Sequence, residues 1–374
     1  MWFGIYVKKS YKQCRVFLVM DVSIVVPTYN EAGNISKLVR KIFFEFEENK
    51  IDGEVIVVDD NSPDKTWEIV EGLKKKFPKL DLIRRLGKLG LSSAVIEGWK
   101  ISKGDVIGVM DADLSHPVDK IHELYNSIRR DNFDMAVGSR YVKGGKIEGW
   151  GFGRLFCSKG STLLAKVFTK IKDPMSGYFM IRRDMVNIDD LDAKGFKILL
   201  EVAVKMKVKK IKEVPITFVN RAEGKSKASV KEIRFYLLNL WGYFKREYPG
   251  LYEFFKFGIV GLSGAVLNLM VFYLMTRFLG VHYMGSAVVA FVLAATSNYL
   301  LNKVWTFNEK IGHKIARKFV QFFVVSIVTL GINLGILFAL VENVGIHYML
   351  AQAIAILLSM IFNYVGNKIW TFRK

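Results

Sequence analysis

The sequence predicts an α/β domain with a Rossmann-like, mostly parallel sheet, followed by an all-α membrane domain of four transmembrane helices in two hairpin repeats. Three observations support this fold class. Short apolar segments that end in polar residues recur along the first two thirds of the 374-residue chain. Four long uncharged runs follow in the last third. Within these runs, one ten-residue pattern occurs twice.

Three apolar segments in the N-terminal part are predicted strands of one parallel sheet. They cover residues 22–26, 55–58 and 106–110. Each is followed by a helix-like stretch, giving units of about 30 residues that are typical of successive βα units. Open α/β sheets bind ligands at the carboxyl ends of such strands. The candidate residues at these ends are Pro27, Tyr29, Glu31, Val58, Asp60, Asp111, Ala112 and Asp113.

The residue types at these ends indicate a metal–nucleotide site. Asp111 and Asp113 are one residue apart and repel each other unless a cation lies between them, and hard carboxylate oxygens suit Mg²⁺ or Mn²⁺ bridging a diphosphate. The Tyr29 ring can stack on a base, while Glu31 and Asp60 can accept hydrogen bonds from base or ribose. A solvated turn after a strand would use the same Asp-x-Asp pattern, so the signal depends on the combination.

Several segments together resemble a known family. Residues 27–31, 58–60 and 111–113 look like the inverting nucleotide-sugar glycosyltransferases of the nucleotide-sugar-binding GT-A fold. Further segments are similar to dolichyl-phosphate mannose synthases, and the resemblance covers roughly residues 21–245. These further segments are residues 90–94, 138–140, 154–163, 176–177 and 221–227.

The resemblance implies a reaction and its substrates. Mannose would pass from GDP-mannose to dolichyl or another polyprenyl phosphate with inversion, giving dolichyl phosphate mannose and GDP. A glucosyltransferase that uses UDP-glucose would share most of these motifs. The acceptor phosphate, with a second pKa of about 6, needs no strong base at neutral pH and instead needs cationic positioning.

The resemblance also assigns residues to roles. Asp113 and Arg140 are the expected catalytic residues, and Arg140, Arg154 and Ser158 match positions that hold the lipid phosphate, for which guanidinium groups are well suited. Arg221 and Lys227 match positions that reach the donor diphosphate from a closing loop.

Ser115 is a departure from the family pattern, which often has Gln as a further metal-side ligand. A hydroxyl can also coordinate, so Asp111, Asp113 and Ser115 are the predicted ligands of Mg²⁺ or Mn²⁺. His116, which precedes Pro117, is interpreted as a turn residue.

Glu201 has two open interpretations. It could bind a sugar hydroxyl, or it could be a carboxylate on a helix surface.

The last third of the chain is predicted to span a membrane four times. The uncharged runs are each long enough for a hydrocarbon core that needs about 20 residues. They cover residues 257–276, 278–302, 319–341 and 343–367. The predicted domains are an N-terminal extension (1–20), a cytoplasmic catalytic domain (21–228), an interfacial amphipathic helix with linker (229–250) and a transmembrane domain (251–374).

The membrane part contains an internal repeat. Residues 298–307 recur as 363–372, and His282-Tyr-Met recurs as His347-Tyr-Met at the same offset of 65 residues. One shared register indicates duplicated hairpins related by an axis along the membrane normal. The region resembles a small four-helix membrane family that accompanies polyprenyl-linked sugar transferases. Anchoring, a homo-oligomer or lipid handling would each suit these spans.

The distribution of charge predicts the orientation. Lys and Arg residues lie between the second and third spans and after the fourth, while the short loops around His282 and His347 have none. Arg277, late in the first span, is the one exception, and it is interpreted as reaching the far interface or as lining the helix bundle. By the positive-inside rule, a multi-pass protein of the cell membrane would have both termini and the catalytic domain in the cytoplasm.

The net charge of +20 favours attraction to anionic lipid rather than nucleic acid, because no nucleic-acid-binding signature occurs.

Two amphipathic stretches could lie on the membrane or pack on the catalytic core. One contains Ile233, Tyr236, Leu237, Leu240, Trp241 and Phe244, and the other contains Leu155, Leu163, Leu164, Val167, Phe168 and Ile171.

Only two cysteines, Cys14 and Cys157, occur, which fits a reducing cytoplasmic face. Residues 1–19 are either a mis-assigned start or a basic arm that touches the membrane.

Two other classes of protein are disfavoured. A processive polysaccharide synthase would carry a Gln-x-x-Arg-Trp acceptor motif, which the chain lacks. A non-catalytic transporter or scaffold for lipid-linked sugars would fit the repeat, but it would not require the full set of metal and phosphate residues.

Overall fold

The structure is a computed structural model that describes residues 20–192, 197–219, 230–310 and 315–373. The chain forms two compact units, Met1–Tyr243 and Phe244–Lys374. The first unit carries the predicted site residues and the second carries the apolar runs. The N-terminal extension and the predicted loop with Arg221 and Lys227 lie outside the described residues.

The first unit alternates strands and helices along the chain. Its strands are β1 Met20–Thr28, β2 Gly53–Asp59, β3 Leu80–Arg84, β4 Gly104–Val109, β5 Met135–Ser139, β6 Lys146–Ile147, β7 Phe179–Arg182, β8 Ile211–Pro215 and β9 Thr217–Phe218. Its helices are α1 Ala32–Glu48, α2 Thr66–Lys74, α3 Leu91–Ile101, α4 Ile121–Arg129, α5 Phe152–Ala165, α6 Ile198–Lys205 and α7 Val230–Glu247, the last of which continues into the second unit.

Seven strands form one twisted sheet in the order β3-β2-β1-β4-β7-β5-β8, and β6 pairs with β9 in parallel. Within the main sheet, β7 runs antiparallel to β4 and β5, and every other pairing is parallel. This confirms the predicted Rossmann-like, mostly parallel fold.

Apolar side chains cover both faces of the sheet, as expected where helices cover a parallel sheet on both sides. On β1, Val22, Ile24 and Val26 belong to the core on one face, and Val25 belongs to the core on the other. All seven residues of β2 are buried. The continuous apolar segments of the sequence therefore reflect burial on two faces.

β1, β2 and β4 are adjacent and parallel, so their carboxyl ends meet at one edge. A residue with positive φ turns the chain after each strand: Asn30 (+59°), Asn61 (+54°) and Leu114 (+59°). Asparagine tolerates this left-handed conformation, whereas leucine adopts it at a cost. Such backbone strain concentrates at functional sites, and here it lies between Asp113 and Ser115.

The second unit contains four long helices: α8 Pro249–Arg277, α9 Tyr283–Leu301, α10 Ile315–Phe338 and α11 Tyr348–Gly366. With the π-helical turns that extend three of them, Asn302–Thr306, Ala339–Asn343 and Asn367–Thr371, all four are long and apolar enough to cross a membrane. Each hairpin turn contains a glycine with positive φ, Gly280 (+64°) or Gly345 (+75°).

The two hairpins make matching contacts. Phe307 and its equivalent Phe372 stack on each other with ring centres 4.5 Å apart. Tyr299 stacks on Phe372 at 6.0 Å, and its equivalent Tyr364 stacks on Phe307 at 6.2 Å. The Tyr299 hydroxyl donates to the Ile315 carbonyl and the Tyr364 hydroxyl to the Gly250 carbonyl, again at the offset of 65 residues. The sequence repeat is therefore also a structural repeat with a shared aromatic core.

Candidate active site at the strand ends

Asp111 follows β4 and is held in place by two neighbours. Its Oδ2 lies 3.1 Å from Nε2 of His116. The His116 ring is buried and packs against Tyr178 and Phe218, with ring centres 5.2 and 5.1 Å apart. A Cβ added at Gly177 would lie 2.6 Å from Asp111 Oδ2, so only glycine leaves room for this carboxylate. His116 is therefore more than the turn residue that the sequence suggested.

Asp113 and Ser115 complete the motif. Asp113 is 4% exposed, and its Oδ1 accepts a hydrogen bond of 3.1 Å from the Ser115 backbone N–H. The Ser115 hydroxyl is buried and has no hydrogen-bond partner among the described residues. A buried polar group without a partner calls for a reason such as an ion or water.

This donor set fits a hard divalent cation. Among the described residues, no group of three or more His, Cys, Asp and Glu side chains suits a metal ion. Mg²⁺, however, is usually bound by one or two carboxylates together with water and substrate phosphates. Two carboxylates and the unpartnered Ser115 hydroxyl meet that description, and their role as ligands stays a prediction.

Tyr29 and Glu31 lie in the turn between β1 and α1. The Lys88 ammonium lies over the Tyr29 ring, 4.2 Å from its centre, a cation–π contact that the sequence did not reveal. Glu31 accepts a hydrogen bond of 2.9 Å from the Asn34 amide. Pro27 and Val58 lie opposite each other in the pairing of β1 with β2, so they form part of the same edge.

Asp60 makes a buried ion pair at the end of β2. Its Oδ1 accepts from Nε of Arg85 at 2.6 Å, and its Oδ2 accepts from the Gly90 N–H at 3.0 Å. Arg85 also donates to the Ser93 hydroxyl and the Gly90 carbonyl. Asp60 therefore anchors the 90–94 segment, and because a carboxylate has about four lone-pair positions, it can still accept from a ligand.

Arg140 follows β5 and forms a bidentate pair with Asp173. Its Nε and Nη2 donate to the two carboxylate oxygens at 2.7 Å each, and its backbone N–H donates to Oδ2 at 3.0 Å. Both side chains are buried. Burial lowers the pKa of Arg140, but Asp173 and, among other charges, Asp111 raise it, and the net shift is upward.

Trp150 joins the two arginines of the predicted acceptor site. The guanidinium of Arg154 lies 4.1 Å from the Trp150 ring centre and that of Arg140 lies 5.2 Å from it. Ser158 is one turn after Arg154 on α5 and accepts a hydrogen bond of 2.9 Å from the Tyr141 hydroxyl. The structure thus brings Arg140, Arg154 and Ser158 into one layer, held by two aromatic residues that sequence reasoning missed.

Of the two interpretations of Glu201, the structure contradicts the surface carboxylate, and binding of a sugar hydroxyl stays a prediction. It is 3% exposed on α6, so it is not a surface carboxylate. It pairs with Lys205 at 2.7 Å and accepts from the Asp192 N–H at 2.5 Å. Burial raises the pKa of Glu201, although Lys205 acts in the opposite direction. These contacts make it a structural group that fixes α6.

α7 has two apolar faces in the first unit. Tyr236, Leu240 and Tyr243 are buried in a cluster with residues of α5 and α6. The Tyr236 hydroxyl donates to the Ser161 carbonyl on α5 at 2.6 Å. Large apolar side chains remain exposed on both helices: Ile233, Leu237, Leu238 and Trp241 on α7, and Phe152, Phe156, Leu163 and Leu164 on α5. Part of each predicted stripe therefore packs on the core, and part does not.

Comparison with known proteins agrees with this architecture. The family described as glycosyl transferase family 2 matches residues 23–188, and the GtrA/DPMS transmembrane domain matches residues 256–372. A dolichol-phosphate mannosyltransferase from Pyrococcus furiosus is 39% identical over 356 residues, which cover 93% of this chain and 98% of that protein. The chain belongs to the dolichol-phosphate mannosyltransferase family.

A second relative and a solved structure are also similar to this chain. The Saccharomyces cerevisiae dolichol-phosphate mannosyltransferase is 36% identical over 231 residues, 59% of this chain and 86% of that protein. Among solved structures, a mannosyltransferase from Pyrobaculum calidifontis in complex with GDP-Man and Mn²⁺ is 14% identical, covers 95% of this chain and 88% of that chain, and has a TM-score of 0.46. Family membership confirms the predicted class of enzyme, a mannosyltransferase that is an integral membrane protein.

Proposed function

We propose that this protein transfers mannose from GDP-mannose to dolichyl phosphate with inversion, releasing dolichyl phosphate mannose and GDP. One observation carries this proposal: the identity of 39% with the Pyrococcus furiosus dolichol-phosphate mannosyltransferase extends through both units. A match to the catalytic unit alone would not indicate the acceptor substrate, because enzymes with the same fold use many different acceptors.

The donor lies at the ends of β1, β2 and β4. Tyr29, Glu31 and Asp60 contact the nucleoside with the help of Pro27, Val58 and Ala112, and Arg221 and Lys227 reach the diphosphate. Asp111, Asp113 and Ser115 hold Mg²⁺ or Mn²⁺, which, when bound, neutralises charge on the leaving diphosphate. His116 keeps the Asp111 carboxylate in one orientation, which supports this role.

The acceptor phosphate lies against Arg140, Arg154 and Ser158. Because this phosphate is largely a dianion above its second pKa of about 6, it attacks the anomeric carbon without a strong general base. The negative charge of Asp173 offsets the positive charge of Arg140. Arg140 therefore contributes a hydrogen-bond donor of fixed direction to the phosphate and little net positive charge. Arg154 supplies a second guanidinium group, which lies over the Trp150 ring.

The exposed apolar faces of α5 and α7 rest on the membrane, where the prenyl chain of the acceptor is dissolved. Lys and Arg residues flank these faces, including Lys159 and Arg234, and favour anionic lipid. The catalytic unit and both termini are cytoplasmic, as the basic residues of the loops indicate. Oligomers of the chain would form through the membrane domain.

Transfer of radiolabelled sugar to dolichyl phosphate in detergent tests the function. GDP-mannose, UDP-glucose and GDP-glucose are compared as donors, each with Mg²⁺, with Mn²⁺ and with EDTA. We expect metal-dependent product from GDP-mannose and much less from the other donors. Product from UDP-glucose instead would keep the reaction type and change the sugar, and no transfer from any donor would contradict the proposal.

A further inference from the structure

The membrane domain contains a cavity of about 500 Å³ between α8, α9 and α10. This is within the range of about 300–1,000 Å³ that is usual for small-ligand sites. Its polar lining consists of Asn268, Asn298, Asn302, Ser326 and Asn363. Side-chain amides are costly in a membrane unless they have hydrogen-bond partners, so a group of four around one cavity requires an explanation.

Asn298 has an acceptor that the protein does not satisfy. Its Oδ1 is buried and has no hydrogen-bond partner among the residues that the structure describes. At the equivalent position of the second repeat, Asn363 Oδ1 accepts from Asn367 Nδ2 at 2.6 Å. In the first repeat, Asn302 instead accepts from the Thr306 hydroxyl at 2.9 Å. Both of the equivalent amides, Asn298 and Asn363, line the cavity, and of the two only Asn298 has an oxygen without a partner among the described residues.

The two repeats differ in side-chain volume at positions that line the cavity. Ala295 lines it, whereas its equivalent Met360 packs against the shared aromatic core, close to Gly258. Gly264 and Ala265 also line it, and their equivalents are Thr329 and Leu330. Empty volume costs stability, and the second hairpin shows that the same fold accommodates larger residues.

The chemistry of the lining defines the ligand. None of the described residues that line the cavity carries a charge, so an ionised phosphate would lose water without gaining a cation. Amides both donate and accept, as sugar hydroxyls do, and Phe257, Phe291 and Phe322 offer apolar surface to C–H groups. We propose that this cavity is a second ligand site, which binds the neutral, hydroxyl-rich headgroup of a membrane lipid.

Photo-crosslinking of the full-length chain in phosphatidylcholine nanodiscs tests this site independently of catalysis. The probe is an octyl β-mannoside that carries a diazirine on its alkyl chain next to the sugar, and the labelled peptides are mapped by mass spectrometry. We expect labelling of peptides from the cavity wall, which unlabelled octyl β-mannoside competes away. Competition by 1-O-octylglycerol tests a glycerol headgroup as the alternative source of hydroxyls, and success of either neutral competitor supports the proposal.

Two variants and one control sharpen the result. Ala295→Met introduces the residue of the second repeat, and Asn298→Leu removes the unsatisfied amide. Asn298→Leu should reduce competed labelling about tenfold, the effect of losing one or two hydrogen bonds, and Ala295→Met should reduce it by a similar factor because the larger side chain occupies the space of the ligand. Val288→Met adds similar volume at an exposed position of α9 and should leave labelling unchanged.

The proposal is overturned if the wild-type chain shows no competed labelling in the cavity wall, whatever the variants do. It is also overturned if octyl phosphate competes as well as octyl β-mannoside, or if folded Ala295→Met and Asn298→Leu label like the wild type. Mannosyl transfer by the same preparations serves as the test of folding, since neither residue belongs to the catalytic unit.

Discussion

Asp173 determines what Arg140 can contribute to the proposed acceptor site. The pair is buried, and Asp173 accepts three hydrogen bonds from this one arginine. Removing Arg140 would leave a buried, unpaired carboxylate at a cost of about 3–5 kcal/mol, so loss of activity would be mixed with unfolding. Arg154, which is only partly buried at the start of α5, is the cleaner probe of phosphate binding.

Arg154→Ala should raise the KM for dolichyl phosphate and leave that for GDP-mannose unchanged. A hydrogen bond to a charged group contributes about 1.5–3 kcal/mol, so we expect an increase of at least about tenfold. Initial rates with each substrate varied in turn provide the measurement. Lys41→Ala, at an exposed position of α1, is the control. An equal rise in both KM values would argue against an acceptor role.

His116→Phe should weaken activation by metal. The ring still fills the space between Tyr178 and Phe218, but the contact of Nε2 with Asp111 is lost. Loss of such an outer contact typically lowers metal affinity about 10–100-fold. The Mn²⁺ concentration that gives half-maximal transfer reports the change. His122→Phe, which loses only a contact with Glu45 on α1, should behave as wild type; activation curves that coincide for all three proteins would refute the role of His116.

At this scale, the sequence indicates residues for the proposed chemistry but not the residues that support them. Asp111, Asp113 and Arg140 stand in recognisable motifs. Asp173 and Trp150 are separated from Arg140 by 33 and 10 residues, and their contacts arise only when β5, β7 and α5 assemble. A local pattern holds no information about such contacts, and the same applies to the cation–π pair of Lys88 with Tyr29.

Among the elements, α7 shows how one helix can serve two surfaces. Tyr236, Leu240 and Tyr243 are spaced to face the core, and Ile233, Leu237 and Trp241 follow at i, i+4 on another face. The sequence indicated an apolar stripe but not its division, because both faces contribute to the same periodicity. An amphipathic helix of this kind suits a position between a protein core and a lipid surface.

Leu237→Glu should reduce transfer to long-chain dolichyl phosphate and spare transfer to a short, water-soluble prenyl phosphate. Leu237 is 50% exposed, so the charge does not disturb the core, but it opposes burial of this face in lipid. The ratio of the two rates in liposomes is the quantity to measure. Phe44→Glu, which introduces the same charge at an exposed position of α1, should leave the ratio unaltered. A ratio that falls equally in both variants would count against a membrane role for α7.

Two features of the elements could not be predicted. β7 is antiparallel within the main sheet, and a four-residue apolar strand carries no signal of direction. The π-helical turns at Asn302–Thr306 and Asn367–Thr371 each widen the helix at the end of a repeat. Their sequence continues an ordinary helical pattern, so only the structural environment reveals them. π-turns often occur at functional sites. An asparagine lies four residues before the start of each turn, Asn298 in the first repeat and Asn363 in the second.

For the whole molecule, the repeat conserves its aromatic core while its charges differ. Lys368 pairs with Glu253 at 2.5 Å, but the equivalent residues of the other half, Lys303 and Lys318, are both cationic. Glu309 lies between them and contacts each, at 3.6 and 2.5 Å. The sequence predicted the duplication from its register, whereas the differences between the halves, including the cavity, appear only when equivalent positions are compared in three dimensions.

Cys157 is a natural reporter of orientation, because it is exposed on α5 in the catalytic unit. In a Cys14→Ser background it is the only cysteine of the chain. A membrane-impermeant maleimide should label it in inside-out vesicles and not in right-side-out ones, if this unit is cytoplasmic as the basic residues of the loops predict. Leu279→Cys in a cysteine-free background, at an exposed position of a short loop without Lys or Arg, should show the opposite pattern. Labelling of both cysteines from the same side would contradict a multi-pass arrangement in which α8 crosses the membrane once.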